Sequence, residues 1–343
     1  MTLMQNEIFS EPLVIQRTID TNIELVQTIA KELKKRNIKT IFTMARGTSD
    51  NAATCFSFAC QTFTNIKVGK FHPSIATIYN AKLDMSDTCL LVISQSGMSK
   101  DTIDVLRKAK ANGAFIVGVT NNLDSLTAKE SDFHIYLNVD EEKSVAATKT
   151  YISELVALYM LVEALSNKSF INDIKKIPAR IKDILTLNDK IKLIAKQLSK
   201  LNNFIILSRG HMQGTCDEIG LKLTECCYLY TKTFSSANFM HGPLSLLAEN
   251  ANIVLLAPSG VNEQEYISLA KRAKEAKANL IAFSDIKEIL DFADISLIMP
   301  TYDDLTNSIT YGVVASLLAL NTGIERGIDV DQPRNLNKVT ITL

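Results

Sequence analysis

Short β-branched runs recur along this chain in two sets with nearly the same spacing, and no other feature narrows the fold as much. In the first half they are Thr40 to Met44, Ile66 to Phe71, Cys89 to Ile93, Phe115 to Val119 and His134 to Val139. The second half holds Phe204 to Leu207, Tyr228 to Phe234, Ile253 to Ala257, Leu280 to Phe283 and Ile295 to Met299. Ile41 and Phe204, Leu90 and Val254, Ile116 and Leu280, and Ile135 and Ser296 each lie roughly 160 residues apart, which a duplicated domain explains most economically. Segments of helical period separate the runs, and that alternation predicts an α/β fold of parallel sheets built from βαβ units.

A length of 343 residues suits two such domains. Residues 1–165 are read as N-terminal helices plus the first domain, 196–330 as the second, and 331–343 as a tail. Between them, residues 166–195 are polar and Lys-rich. Ile171, Ile174, Ile177, Ile181 and Ile184 nevertheless keep an apolar stripe at helical spacing, so a helical connector packed on both lobes is expected. Residues 16–36 have a similar pattern. The chain after Gly327 has none, so contacts made elsewhere must place it.

Composition removes several classes of function. Lys plus Arg and Asp plus Glu both number 37, which leaves no global field to steer the chain onto nucleic acid or an anionic membrane. The six cysteines, at 55, 60, 89, 216, 226 and 227, form no C-x-x-C pair and read as reduced, buried thiols of a cytoplasmic protein. Glu7, Glu11 and Asp20 interrupt the first 20 residues, and Glu163 interrupts the most apolar stretch, so neither a signal peptide nor a membrane span is expected. The four histidines are isolated from one another and from cysteine clusters, so no metal site and no cofactor is expected.

In an open parallel sheet, ligands bind beyond the carboxyl ends of the strands, where loops converge and helix N-termini present free N–H groups. The first run leads into Ala45-Arg46-Gly47-Thr48-Ser49-Asp50, and the third into Ser94-Gln95-Ser96-Gly97-Met98-Ser99. Either turn alone reads as helix capping, but two at neighbouring strand ends can converge on one dianion. Neither is a Walker A or G-x-G-x-x-G motif, so the expected guest is a monophosphate rather than a nucleotide. In the second half, Ser208-Arg209-Gly210-His211 precedes a helix whose Lys222 and Glu225 share one face; on spacing alone they read as a solvated ion pair. His241 is followed by Gly242-Pro243, which fixes the backbone path after the imidazole. Cys226 and Cys227 read as core packing.

Together these segments resemble the tandem sugar isomerase (SIS) family, in particular the isomerase half of glucosamine-6-phosphate synthases and their stand-alone relatives. G-T-S at 47–49, S-Q-S-G at 94–97 and E-E-K-S-V-A-A-T-K at 141–149 match in the first half. K-L-T-E at 222–225, S-S-A-N-F-M-H-G-P at 235–243 and D-Q-P-R-N-L-N-K at 331–338 match in the second. The resemblance implies two tandem SIS domains, each a mainly five-stranded parallel sheet in a flavodoxin-like three-layer sandwich. It implies that Gly47, Thr48, Ser49, Ser94, Gln95, Ser96 and Ser99 hold a sugar phosphate, with Val145, Ala147 and Asn337 against the sugar. Glu225 is implied as the carboxylate that moves a proton between C1 and C2, with Lys222 beside it. His241 opens the sugar ring from the neighbouring subunit of a homodimer, and Lys338 of the tail meets the open-chain carbonyl.

Two positions depart from the family pattern: Asn238 stands where many relatives have Glu, and Ala147 where the synthases have Ser. Position 2 is Thr, where the synthases carry the Cys nucleophile of a glutaminase domain, so no glutamine hydrolysis by that route is expected. The 141–149 and 234–243 motifs and the ending K-V-T-x-T-L look closer to deaminases that convert glucosamine 6-phosphate to fructose 6-phosphate and ammonia. An ammonia-using synthase, an aldose–ketose isomerase, a deglycase and, from another class, a non-catalytic sugar-phosphate sensor are the competing readings.

Overall fold

The computed structural model describes residues 1–338. Among the described residues ten strands form: β1 (Thr40–Met44), β2 (Lys67–Lys70), β3 (Thr88–Ile93), β4 (Phe115–Thr120), β5 (Phe133–Tyr136), β6 (Asn203–Ser208), β7 (Tyr230–Ser235), β8 (Asn252–Ala257), β9 (Asn279–Ser284) and β10 (Ile295–Ile298). They build two five-stranded sheets of order β2-β1-β3-β4-β5 and β7-β6-β8-β9-β10. Every pairing is parallel. Each of the ten β-branched runs supplies one strand. The duplication extends to register: Thr43 pairs with Leu91, and Ile206 with Val254, so both partners recur 163 positions on.

Parallel neighbours require crossovers, and right-handed crossovers in this order send the β1-to-β2 helix to one face and the later helices to the other. The helix Gly47–Phe63 accordingly packs on Lys149–Leu165, whereas Lys100–Ala111 packs with Pro73–Thr77 and Leu126–Glu130. In the second sheet, Gln213–Cys227 packs on Asp304–Glu325, and Glu263–Glu275 on Lys287–Phe292. Covered on both faces, the central strands β3, β4 and β8 are buried at all six positions, which is why they read as continuous apolar runs.

Boundaries differ from the sequence reading where the backbone turns left-handed. Tyr228 caps the preceding helix at φ +55°, so β7 starts at Tyr230 rather than at Tyr228. Asn138 and Asp140 are left-handed too, so β5 stops at Tyr136 instead of running to Val139. The first helix spans Leu3–Lys35 and includes Pro12, starting well before residue 16. Met4, Ile8, Ile15 and Ile19 are buried along it, so the apolar stripe continues across the proline. The 166–195 segment holds the helix Ile171–Leu185, with Pro178 inside it, and most of a second, Asn188–Leu198.

The chain divides into two compact units. Among the described residues, the first lobe comprises Ser10–Pro178 and 335–338, and the second comprises Met1–Phe9 and Ala179–Arg334. Among the described residues no helix is long and apolar enough to cross a membrane. All six cysteines are buried and free of disulfides. Burial pushes the Cys226 thiol up to about 12, which suits packing rather than nucleophilic work.

Candidate active site

In the first lobe, the chain leaves β1 toward β2 and leaves β3 toward β4, so a crevice opens at the carboxyl ends of these two neighbours. A small cavity there is lined by Arg46, Ser49, Ser94, Ser99, Asp101 and Thr102, among others. Two helix N-termini, those of Gly47–Phe63 and Lys100–Ala111, enter from it. Neither Arg46 nor Ser99, the residues at the two N-caps, spends its side chain on a cap hydrogen bond. Ser94 Oγ accepts from the Gly97 N–H at 3.2 Å, and a hydroxyl that accepts still has its proton to donate. Gly97 lies at φ +62°, where an added Cβ would come within 2.8 Å of Ser125 Cβ and Thr120 Cγ2, so only glycine fits this turn. Gly47, Thr48, Gln95 and Ser96 sit on the same two turns.

Charge in this cradle is balanced internally. Arg46 Nη2 donates to Asp101 Oδ2 at 2.6 Å, while Asp101 Oδ1 accepts from the Thr102 N–H at 2.9 Å. Ser49 Oγ donates to the buried Glu154 Oε1 at 2.8 Å. Its proton is committed there, so a phosphate would meet its backbone N–H instead. Sequence reasoning missed Glu154; the available signal was a carboxylate inside the otherwise apolar helix Lys149–Leu165.

The 141–149 segment alternates. Glu142, Ser144, Ala146 and Thr148 are buried, whereas Val145 and Ala147, both expected to face the sugar, are half-buried between them. Glu142 accepts from the tail: Lys338 Nζ donates to its Oε2 at 2.6 Å. Burial alone would raise the Glu142 pKa, but the Lys338 ammonium and the Thr148 and Thr150 N–H groups outweigh it, and the carboxyl is held below its ordinary range. Asn337 is exposed. The K-V-T-x-T-L ending lies, after Lys338, outside the described residues.

In the second lobe, Lys222 and Glu225 project from the helix Gln213–Cys227, with Nζ 3.7 Å from Glu225 Oε2. The pair is not the solvated one that spacing alone suggests. Lys222 is wholly buried, and its shorter partner, at 2.8 Å, is Glu218 one turn earlier. Burial opposes the lysine's charge, yet the Glu218 and Glu225 carboxylates prevail, and its pKa is raised. Glu225 keeps a quarter of its side chain exposed. An outward carboxylate braced by a buried ammonium can exchange protons with a guest, whereas the lysine can act on a guest only through that carboxylate. Glu218 was readable as the i−4 neighbour of Lys222. His241 is exposed and follows the short helix Ser236–Met240; its N–H donates to the Asn238 carbonyl at 3.1 Å.

A model of the SIS domain family matches residues 30–164 and 197–326. A glutamine–fructose-6-phosphate aminotransferase [isomerizing] from Thermococcus kodakarensis is 30% identical over 350 residues, which covers 98% of this chain and 57% of that protein. The chain thus spans a little over half the length of such curated relatives. The C-terminal domain of glucosamine-fructose-6-phosphate aminotransferase from Francisella tularensis superposes with a TM-score of 0.87 at 26% identity, covering 97% of this chain and 98% of that one. Glucosamine-6-phosphate deaminase from Thermotoga maritima shares the fold with a TM-score of 0.77 at 18% identity, covering 99% and 100%.

Proposed function

The chain belongs to the SIS domain family, and from that premise we propose that it is an amino-sugar-phosphate deaminase converting glucosamine 6-phosphate to fructose 6-phosphate and ammonia. The observation that carries this reading is Glu225, a carboxylate with a quarter of its side chain exposed and braced by a wholly buried lysine. A binding module has no use for such a group, while proton transfer between adjacent carbons requires one. The names of the similar proteins, which pair fructose 6-phosphate with isomerisation and glucosamine 6-phosphate with deamination, support the substrate class.

On this reading the first-lobe cradle binds the 6-phosphate through Ser94, Ser99 and the N–H groups at Gly47, Thr48 and Ser49, with Gln95 and Ser96 on the same turn. Remote binding energy of this kind holds the sugar in register with the reacting carbons. His241, contributed by the partner in a homodimer, shuttles the proton that opens the ring, a task suited to an imidazole near neutral pH. Glu225 then removes the proton from C2 and returns it at C1. The resulting C2 imine exchanges its ammonia for the amine of Lys338, and water then frees the ketose from the lysine. Lys338 meets the carbonyl, and Lys222 holds Glu225 in place.

The test is to supply glucosamine 6-phosphate, galactosamine 6-phosphate and fructose 6-phosphate separately and to measure ammonia and ketose phosphate. Ammonia release in step with fructose 6-phosphate is expected. Interconversion of hexose phosphates without ammonia would replace the deaminase with an isomerase, and binding without turnover would leave a sensor.

A further inference from the structure

Glu142 has no part in the chemistry above, yet its surroundings are strongly constrained. Its side chain is wholly buried. Oε1 accepts from the backbone N–H of Thr148 at 2.9 Å and of Thr150 at 3.0 Å, which fixes the plane of the carboxylate and aims Oε2 at one point. Lys338 Nζ occupies that point, 196 residues along the chain. Glu11, which feels the charge on Glu142, is also buried, and among the described residues neither of its oxygens has a hydrogen-bond partner. Burial, and then the charge on Glu142, raise the Glu11 pKa well above its ordinary value. Of these two acids Glu142 therefore carries the charge, and it faces the lysine.

Resting on the reading in which Lys338 meets the sugar carbonyl, we propose that Glu142 is the positioning residue for that lysine: it fixes the nitrogen and takes its proton, so that a free amine attacks C2 of the ketose phosphate. The ammonium gives one proton to Oε2. The nitrogen lone pair forms the N–C2 bond while the carbonyl π pair moves to oxygen, which takes a second proton from nitrogen to give a carbinolamine. Glu142 returns its proton to that hydroxyl, which leaves as water as the C=N bond forms. The iminium then carries the positive charge the ammonium carried, opposite a restored carboxylate.

Full-length protein incubated with fructose 6-phosphate and cyanoborohydride should accumulate a reduced adduct on the peptide containing Lys338, read by mass spectrometry. Glu142→Gln keeps an oxygen for the Thr148 and Thr150 N–H groups but no charge. It should trap at least about tenfold more slowly and lose kcat by a similar factor, with KM changed less than about threefold. Glu142→Asp should recover part of both rates, which a merely structural role would not predict. A folded Glu142→Gln protein that traps at the wild-type rate overturns the proposal, as does an unlabelled Lys338 in wild-type protein that releases ammonia. Should Glu142→Gln fail to fold, Glu142→Asp decides: slower trapping supports the proposal and wild-type trapping overturns it. Wild-type protein that traps the ketose without ever releasing ammonia sinks the deaminase reading and leaves the role of Glu142 standing.

Discussion

The two lobes contain the same crevice built twice, with different linings. Arg46-Gly47 and Arg209-Gly210 occupy matching places after β1 and β6, and both glycines are left-handed. Each arginine pairs with an acid near the start of the helix after the third strand of its sheet: Arg46 with Asp101, Arg209 with Glu265. In the β3–β8 register, however, Ser94 and Gln95 give way to Ala257 and Pro258, so the second crevice loses a hydroxyl and a backbone donor. The matching Ser259 spends its Oγ on Asp285 Oδ2 at 2.6 Å, and Asp304 lines the cavity. Topology therefore supplies two equivalent openings with different balances of donors and acids, and the first is the one proposed to take a dianion. The second lobe offers instead the partly exposed Glu225, the carboxylate proposed for proton transfer.

The proposed division of roles, phosphate binding in one lobe and proton transfer in the other, can be broken by experiment. The largest effect is expected from Glu225→Gln, which should lower kcat by about 10²- to 10⁴-fold while sugar-phosphate affinity, measured calorimetrically, stays within about threefold. Wild-type turnover in this variant would remove Glu225 as the base. Lys222→Met leaves the buried Glu218 without its lysine and should cost about 3–5 kcal/mol of stability, seen as a lower denaturation midpoint. An unchanged midpoint would contradict the bracing role.

Ser94→Ala makes the first crevice resemble the second at that position. KM should rise about tenfold with little change in kcat, the size of one lost hydrogen bond to a charged group. Ser259→Ala should leave KM within about twofold, and equal effects of the two serines would erase the distinction between the crevices. The smallest effect concerns pH. Glu142 has a depressed folded pKa, so its pairing with Lys338 stabilises the protein fully above the ordinary value of 4.5 and less as pH falls through the folded value. The stability gap between wild type and Glu142→Gln, followed by urea denaturation between about pH 3 and 7, should therefore close on the acid side. A gap that does not vary with pH would mean that Glu142 acts through packing.

Much of this was legible beforehand because it is local and periodic. The β-branched runs announced the strands, and the hydroxyl-rich turns at 47–49 and 94–99 announced the cradle. Errors fell where a single dihedral overrode composition, as at Tyr228, Asn138 and Asp140. At the site, residue types were visible but their commitments were not. Ser49 looked like a free hydroxyl and is bonded to Glu154. Lys222 looked solvated and is wholly buried against Glu218.

The sequence by itself determined a duplicated α/β architecture and the chemistry available at each strand end, since period and turn residues act over a few positions. Only the tertiary structure decided which polar and charged groups meet: Ser49 with Glu154, Arg209 with Glu265, and Lys338 with Glu142. A charged side chain carries no mark of its partner, and Coulomb attraction and desolvation depend on distances that exist only after distant segments have packed.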